Sequence, residues 1–576
     1  MEDPANVQST KDSGTNTWKS LLMGGAILGI LAACLCIVVL AAVLIDPFHI
    51  VARLLGRYDP VSNALPADAP MVISVNLLQL KSAETGELIR TFAKAAGQDD
   101  IASHEDAIDE MDQSLEEQYG LTLSEDVIPW VGQYAALALT SIEMETLGSS
   151  QGDWLAIIEV RNKKKADAFI EKVCEITAEE LGAAMLTISH EKMTIYEADT
   201  PYDDERFAIA RSKDLVYFGS SSEQVISAME LEAEDSLAED AAYNAIKNQL
   251  PKDRLLTINI GSSLFADALA NMGTLQPGMN LSSEAPLSTY TMAVTIVDSG
   301  IQMDTLIDYG DQELSDAQLA LFESRTGQPE IADMFPDDSY AFFAGTRLDQ
   351  TWKILKQVYG PMLGGSDFDE ALGLLGTQFG LNPDTDLFPY LDGEYALGLF
   401  PSTSGFLAQE ADLPLGLLLL VESSDDAVLY KLADSLSDVL FMLFEVQEID
   451  SNDLYGYQVF DFGAQDPSFA FAASDDLLLI GTDLESMQSS LSRGNPLTQN
   501  PRYTEALDAL PEDVRLGMFI DVQSILDVIE SQALGEFGPK ELEDISAFRP
   551  IQSICSGNSP LEGTILHGAV LVIIEK

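Results

Sequence analysis

Cysteine, histidine and basic residues are scarce in these 576 residues, and each scarcity excludes something. Of the four cysteines, Cys34 and Cys36 sit inside an apolar N-terminal run. That leaves Cys174 and Cys555, whose pairing stays open but whose separation fits no metal or redox motif, so no disulfide framework holds the fold. The four histidines, His49, His104, His190 and His567, lack zinc-ligand spacing. Lysine and arginine total 30 against 94 acidic residues, a formal net charge of −64. Such a surface repels nucleic-acid phosphates and anionic bilayers, which excludes nucleic acid as a partner. The same acidity suits a saline or extracytoplasmic setting.

Chemical motifs are missing too. Gly557-Asn558-Ser559-Pro560-Leu561 begins like a nucleophile elbow but ends in leucine, and Gly219-Ser220-Ser221-Ser222 lacks the lysine of a phosphate loop. Asp384-Thr385-Asp386 starts like a calcium loop without its glycine and distal glutamate. The acidic clusters Asp109 to Glu117 and Asp367 to Glu370 read as solvated surface. No catalytic, cofactor-binding or metal-binding residue is therefore assigned, and no cofactor is expected. With so many carboxylates, a glycosidase-like pair is left open, because only spatial separation defines one.

One long apolar run is present. Leu21 to Ile45 carries no charge over 25 residues, enough to cross a hydrocarbon core of about 30 Å. It reads as a single membrane span rather than a signal peptide. Leu31-Ala32-Ala33-Cys34 resembles a lipid-attachment box, but the chain after it is apolar and lacks a polar tether. Gly24, Gly25 and Gly29 include a spacing that permits close helix packing and that chance supplies equally well. Lys11 and Lys19 before the span balance Arg53 and Arg57 after it, so orientation rests on the acidic bulk, which favours the outside.

The remainder is organised around a repeated block. Tyr119 to Leu139 returns without a gap at Phe379 to Leu399, an offset of 260 residues from Pro129 to Pro389. Each copy runs from an aromatic-Gly-Leu turn through Asp126 or Asp386 to Pro129-Trp130 or Pro389-Tyr390, then into an apolar strand. Both aromatics read as core anchors. Other segments recur in order: strands Trp154 to Val160 and Leu415 to Val421, Ser212 to Gly219 and Ser474 to Gly481, and Tyr243 with Tyr503. Pro66, Pro251, Pro336 and Pro511 each open a Pro-x-Asp motif ahead of a strand, where a missing N–H is tolerated and the aspartate can close a turn. Helical periodicity covers Leu80 to Gln118 and Lys163 to Leu181, and a hairpin turns at Asp298-Ser299-Gly300.

The span, Leu65-Pro-Ala-Asp-Ala-Pro70, the Pro-Trp block and the Ser-x-Asp-Leu-x-x-x-Gly strand at Ser212 together resemble a bacterial family of membrane-anchored extracytoplasmic proteins catalogued only as a domain of unknown function. The resemblance runs from Leu65 onward and implies location and architecture, with no catalytic residue to carry over.

The expected architecture is α+β: a cytoplasmic tail over 1–20, a transmembrane helix over 21–45, a connector over 46–63, a first repeat over 64–310, a linker over 311–333 and a second repeat over 334–576. Each repeat is expected as antiparallel sheet flanked by helices. The expected function is non-catalytic binding of a protein partner, a lipid or another apolar ligand outside a single-pass membrane anchor. The alternatives are a carboxylate-dependent hydrolase with its cleft between the repeats, or an envelope scaffold.

Overall fold

The computed structural model describes most of residues 60–262, 289–359 and 382–575. The expected tail, membrane span and most of the connector lie outside the described residues, as do Cys34, Cys36, His49, Asp367 to Glu370 and nearly all of the helix expected over Ser262 to Asn271. Among the described residues, no helix is long and apolar enough to cross a membrane. The fold is α+β.

Two compact units form. The first holds residues up to 86, 101–244 and 255–258; the second holds 87–100, 245–254 and 259–576. In the first, alternating apolar residues build the antiparallel strands β1 (Met71–Asn76), β2 (Val131–Leu139), β3 (Trp154–Val160), β4 (Ala184–His190), β5 (Met193–Asp199), β6 (Ala208–Ser212) and β7 (Leu215–Gly219). Their pairings give the order β1-β2-β3-β7-β6-β5-β4. Side chains of successive residues leave a strand on opposite faces, so this sheet needs cover on two sides. On one face, Val75, Ala135, Ala156, Ile158 and Phe218 are buried with residues of α2 (His104–Tyr119) and α3 (Lys163–Leu181). On the other, Val72, Ala136, Leu155, Ile157 and Tyr217 meet Val225 of α4 (Ser222–Glu230) and Tyr243 of α5 (Ala241–Lys247). The helical stretch expected from Leu80 contains two α-helices, α1 (Ala83–Ala95) and α2. Ser103 caps α2 by accepting from the Asp106 N–H, and Gly120 ends it at φ +64°, where glycine avoids the cost of a Cβ.

The second unit opens with two strands from the stretch expected as the first repeat, β8 (Thr289–Val297) and β9 (Gly300–Asp308), followed by the helix α6 (Asp316–Glu323). Strands β10 (Ala341–Thr346), β11 (Glu394–Pro401), β12 (Leu415–Glu422), β13 (Asp450–Leu454), β14 (Tyr457–Asp461), β15 (Ala470–Ala473) and β16 (Leu477–Gly481) follow, then β17 (Arg515–Asp521), β18 (Ile551–Asn558) and β19 (Ile565–Ile574). All pair antiparallel, in the order β13-β14-β15-β16-β12-β11-β10-β17-β18-β19-β9-β8. The hairpin expected at Asp298-Ser299-Gly300 therefore packs with the back half, its strand β9 in register with β19 from Gly300↔Ile573 to Asp308↔Ile565. Gly300 sits at φ +141°, and a Cβ there would lie 2.1 Å from the Val572 carbonyl oxygen, so only glycine allows this approach.

Seven strands of the second unit, β10-β11-β12-β16-β15-β14-β13, follow the same order as the seven of the first. Their registers correspond as well: Asn76 faces Tyr134 as Thr346 faces Glu394, and Leu155 faces Gly219 as Leu418 faces Gly481. Tyr243 and Tyr503 are both buried, each with its N–H given to a side-chain oxygen three residues earlier, Asp240 or Asn500. Phe342, Tyr503 and Phe519 meet edge to face in the second core. The turns at Pro66 and Pro336 are closed by backbone, the N–H of Ala69 or Ser339 donating to the proline carbonyl. Contrary to the expected aspartate closure, Asp68 and Asp338 are exposed. Cys174 and Cys555 are both free and buried, and burial pushes the thiols up to about 11 and about 12, which leaves them inert at neutral pH.

Candidate functional site

The repeated block places its recurring residues in matching roles. Leu123–Val127 and Pro383–Leu387 are each a single π-helical turn. Asp126 closes the first by accepting from the Thr122 N–H at 2.8 Å; Asp386 closes the second from the Asn382 N–H at 3.0 Å. A lysine of the crossing helix reaches each carboxylate, Lys172 at 2.5 Å and Lys431, on α8 (Asp426–Phe444), at 3.7 Å. Glu159 accepts from the N–H groups of Gln133 and Tyr134, and Glu422 from that of Glu394, so each pins the start of the strand that closes the block.

The aromatics diverge. Trp130 is fully buried, its ring 5.0 Å from Phe169 and its Nε1–H given to the Asp126 carbonyl. Tyr390 is only half-buried, which departs from the expected core role. The aromatic packing is provided instead by Phe388, stacked on Trp352 of α7 (Leu348–Tyr359) at 4.1 Å and 11°. Trp352 donates from Nε1 to Asp384 at 2.7 Å, and Lys356, one turn on, reaches the other oxygen at 2.6 Å. Burial raises the Asp384 carboxyl, but the hydrogen bonds from Lys356 and Trp352 outweigh it and hold the group below the usual aspartate value. Asp384-Thr385-Asp386 thus meets lysine ammonium groups, while Asp112 of the front acidic cluster accepts from the N–H and hydroxyl of Ser124.

Between α7 and the second block lies a cavity of about 220 Å³ lined by Trp352, Lys353, Lys356, Asp384, Phe388 and Asp349. Asp349 is buried and held by Arg347 at 2.9 Å and by Gln350. Arg347 itself adopts φ +58°, an unusual backbone for arginine, at the turn into α7. None of these pocket residues outside the block was singled out by sequence reasoning. The signal available was the contrast between copies: counting on from β1 and β10, Ser82, Ala83 and Gly86 stand where the back unit has Trp352, Lys353 and Lys356.

A second feature is an apolar row across one sheet face. Met518, Phe343, Leu397, Leu419 and Ile480 are successive cross-strand neighbours on β17, β10, β11, β12 and β16. Phe343 is 38% and Leu397 37% exposed, and the other three are half-buried.

His567, on β19, has Nε2 at 3.0 Å from buried Asp304 and Nδ1 at 3.2 Å from Asp513. With both carboxyls ionised, two acceptors on one ring favour the imidazolium, since neutral imidazole donates from one nitrogen only. Burial lowers the affinity of this ring for its proton, but the two carboxylates outweigh that and raise it above the ordinary histidine value. Beside Gln302, which donates to both oxygens of Asp304, a groove of about 710 Å³ is lined by Asp298, Glu505 and Asp508. Ser559, the serine of the elbow-like sequence, donates its hydroxyl to the Pro560 carbonyl. Among the described residues no cluster of three or more His, Cys, Asp or Glu side chains is arranged to hold a metal ion.

The family model described as a protein of unknown function, DUF3352, matches residues 26–572. The chain belongs to that family. The DUF3352 match takes in both units and both copies of the block, and its description assigns no activity. No curated protein matches. Among solved structures, crystal form I of TP0453 is similar at a TM-score of 0.23 and 8% identity, over 45% of this chain and 81% of that one. Crystal form III of TP0453 gives 0.22 and 9%, over 45% and 83%. Scores this low carry no argument about fold or function.

Proposed function

We propose that this is a single-pass, membrane-anchored extracytoplasmic protein whose exterior is a tandem duplication of one α+β domain, and that it binds an apolar ligand, a lipid acyl chain or an apolar protein segment, without catalysis. Support for the duplication comes from the matched strand order, registers and aspartate-closed turns. The anchor is the uncharged stretch Leu21 to Ile45, and the acidic excess favours the outside.

The observation that carries the binding reading is the apolar row Met518-Phe343-Leu397-Leu419-Ile480. A sheet face that bears large apolar side chains and leaves two of them more than a third exposed is suited to burying apolar surface from a partner. The front-unit counterparts of Phe343, Leu397, Leu419 and Ile480 are Ile73, Leu137, Ala156 and Phe218, none of them exposed, with Ala156 and Phe218 buried in the cluster that holds Ile108 of α2. The back unit is therefore the copy expected to bind.

The test is titration of the full-length protein in detergent with a fluorescent fatty acid. Saturable binding is expected, weakened about tenfold or more by Leu397→Asp, which places a charge in the apolar row. Leu186→Asp, at an exposed leucine of β4 in the front unit, is expected to leave it unchanged. Equal affinities for the parent and Leu397→Asp proteins would remove the reading.

A further inference from the structure

The cavity beside Trp352 has chemistry that the apolar row lacks. At about 220 Å³ it is smaller than the roughly 300–1,000 Å³ that suits a drug-sized molecule, so it takes one ring or one residue of a longer chain. One side is an apolar shelf, Trp352 stacked on Phe388 with Pro389 beside them. The other side is polar. Asp384 accepts one hydrogen bond on each oxygen, from Trp352 Nε1 and Lys356 Nζ. An ionised carboxylate offers about four acceptor positions, so roughly two remain for hydroxyl donors.

The charges do not cancel. Arg347 answers Asp349, and Lys356 answers Asp384. Lys353 is exposed at the rim, and the polar contact of its ammonium among the described residues is the Gln350 amide oxygen at 3.2 Å. One cation with no carboxylate partner among the described residues, at a pocket mouth, gives an anionic group a local pairing point against the general repulsion of a chain of net charge −64. A ligand with an apolar ring face, several hydroxyl donors and one carboxylate matches all three walls.

From this we infer that the Trp352 pocket is a binding site for a single acidic sugar residue, a uronic acid, whose apolar ring face lies against the cavity side of the Trp352–Phe388 stack, whose hydroxyls donate to Asp384, and whose carboxylate pairs with Lys353. The front unit is an internal control, since Ser82, Ala83, Gly86 and Ser124 stand where the pocket has Trp352, Lys353, Lys356 and Asp384. The site is independent of the apolar row, and either can fail alone.

The experiment is calorimetric titration of the full-length protein in detergent with glucuronic acid, and with glucose as the neutral comparator. Saturable glucuronate binding is expected, with glucose weaker by about tenfold, the scale of one charge-assisted hydrogen bond. Lys353→Gln, at an exposed position, is expected to bring glucuronate down to the affinity of glucose. Asp384→Ser, which installs the front unit's residue, weakens both sugars. Lys163→Gln, which removes an exposed lysine paired with Asp214 in the front unit, changes neither. Absence of saturable glucuronate binding, equal binding of the two sugars by the parent protein, or an unchanged preference in Lys353→Gln would each overturn the assignment.

Discussion

The two copies of the repeated block share a backbone and differ in what that backbone encloses. In the front copy, Trp130 and Ile128 are buried and the turn is sealed from within. In the back copy, the residues at the same places, Tyr390 and Phe388, are half-buried, and Phe388 stacks on a tryptophan from α7 beside a cavity. What stays the same is the polar scaffold, namely the aspartate that closes the π-turn, the lysine that reaches it, and the glutamate that pins the next strand. Backbone geometry depends on satisfying buried N–H groups and so tolerates little change, whereas the outward aromatic positions are free to trade core packing for a pocket.

The sharpest way to break this comparison is to truncate the two aromatics. Trp130→Ala removes a fully buried indole and its hydrogen bond, and is expected to cost about 3–5 kcal/mol in urea unfolding. Tyr390→Ala, at a half-buried site, is expected to cost about 1 kcal/mol. Equal losses would mean that the two blocks are packed alike and that the back copy is no more open than the front.

Much of this was legible in the sequence. The ungapped match from Tyr119 to Leu139 located both blocks, and the β-branched and leucine-rich runs at Trp154 and Leu415 located their partner strands, because period-two burial leaves a direct trace in the residues. The burial of Trp130 followed the same way. Other features left no such trace. Tyr390 looked like Trp130 by alignment, but its exposure depends on α7, which supplies Trp352 from outside the block. The His567 pair with Asp304 joins residues 263 positions apart, brought together by strand pairing that no local spacing records. The packing of the hairpin Thr289–Asp308 with the back half is likewise set by the β9–β19 register rather than by position in the chain.

A smaller effect tests the part of the comparison that is held in common. Asp126 and Asp386 each close a π-turn and meet a lysine, but the front pair is at 2.5 Å and the back pair at 3.7 Å. Asp126→Ala leaves the Thr122 N–H and the Lys172 ammonium without their acceptor, and is expected to cost about 1–2 kcal/mol. Asp386→Ala loses a more exposed and looser contact and is expected to destabilise less in the same urea experiment. A larger loss at Asp386 would show that the back turn depends on its aspartate more than the front one does.

The smallest expected effect concerns pH and the residue at which the copies differ most in charge, Asp384 against Ser124. Hydrogen bonds from Lys356 and Trp352 hold the folded Asp384 carboxyl below its unfolded value. A depressed folded value means that the unfolded chain binds the proton more tightly, so the stabilisation is complete above the unfolded aspartate value and is lost as pH falls through the folded one. Asp384→Ser removes that contribution. The variant is therefore expected to differ in urea midpoint from the parent protein at neutral pH and to converge with it in the acid range, as protonation takes from the parent what the substitution has already taken. Ser124→Asp in the front unit, which meets Asp112, is expected to destabilise at neutral pH and to recover on acidification. Both variants are therefore expected to fall below the parent at neutral pH and to rejoin it in acid, Asp384→Ser because it loses a stabilising carboxylate and Ser124→Asp because it gains a repelled one; an Asp384→Ser variant as stable as the parent at neutral pH would show that the charge of the back pocket contributes nothing to the fold.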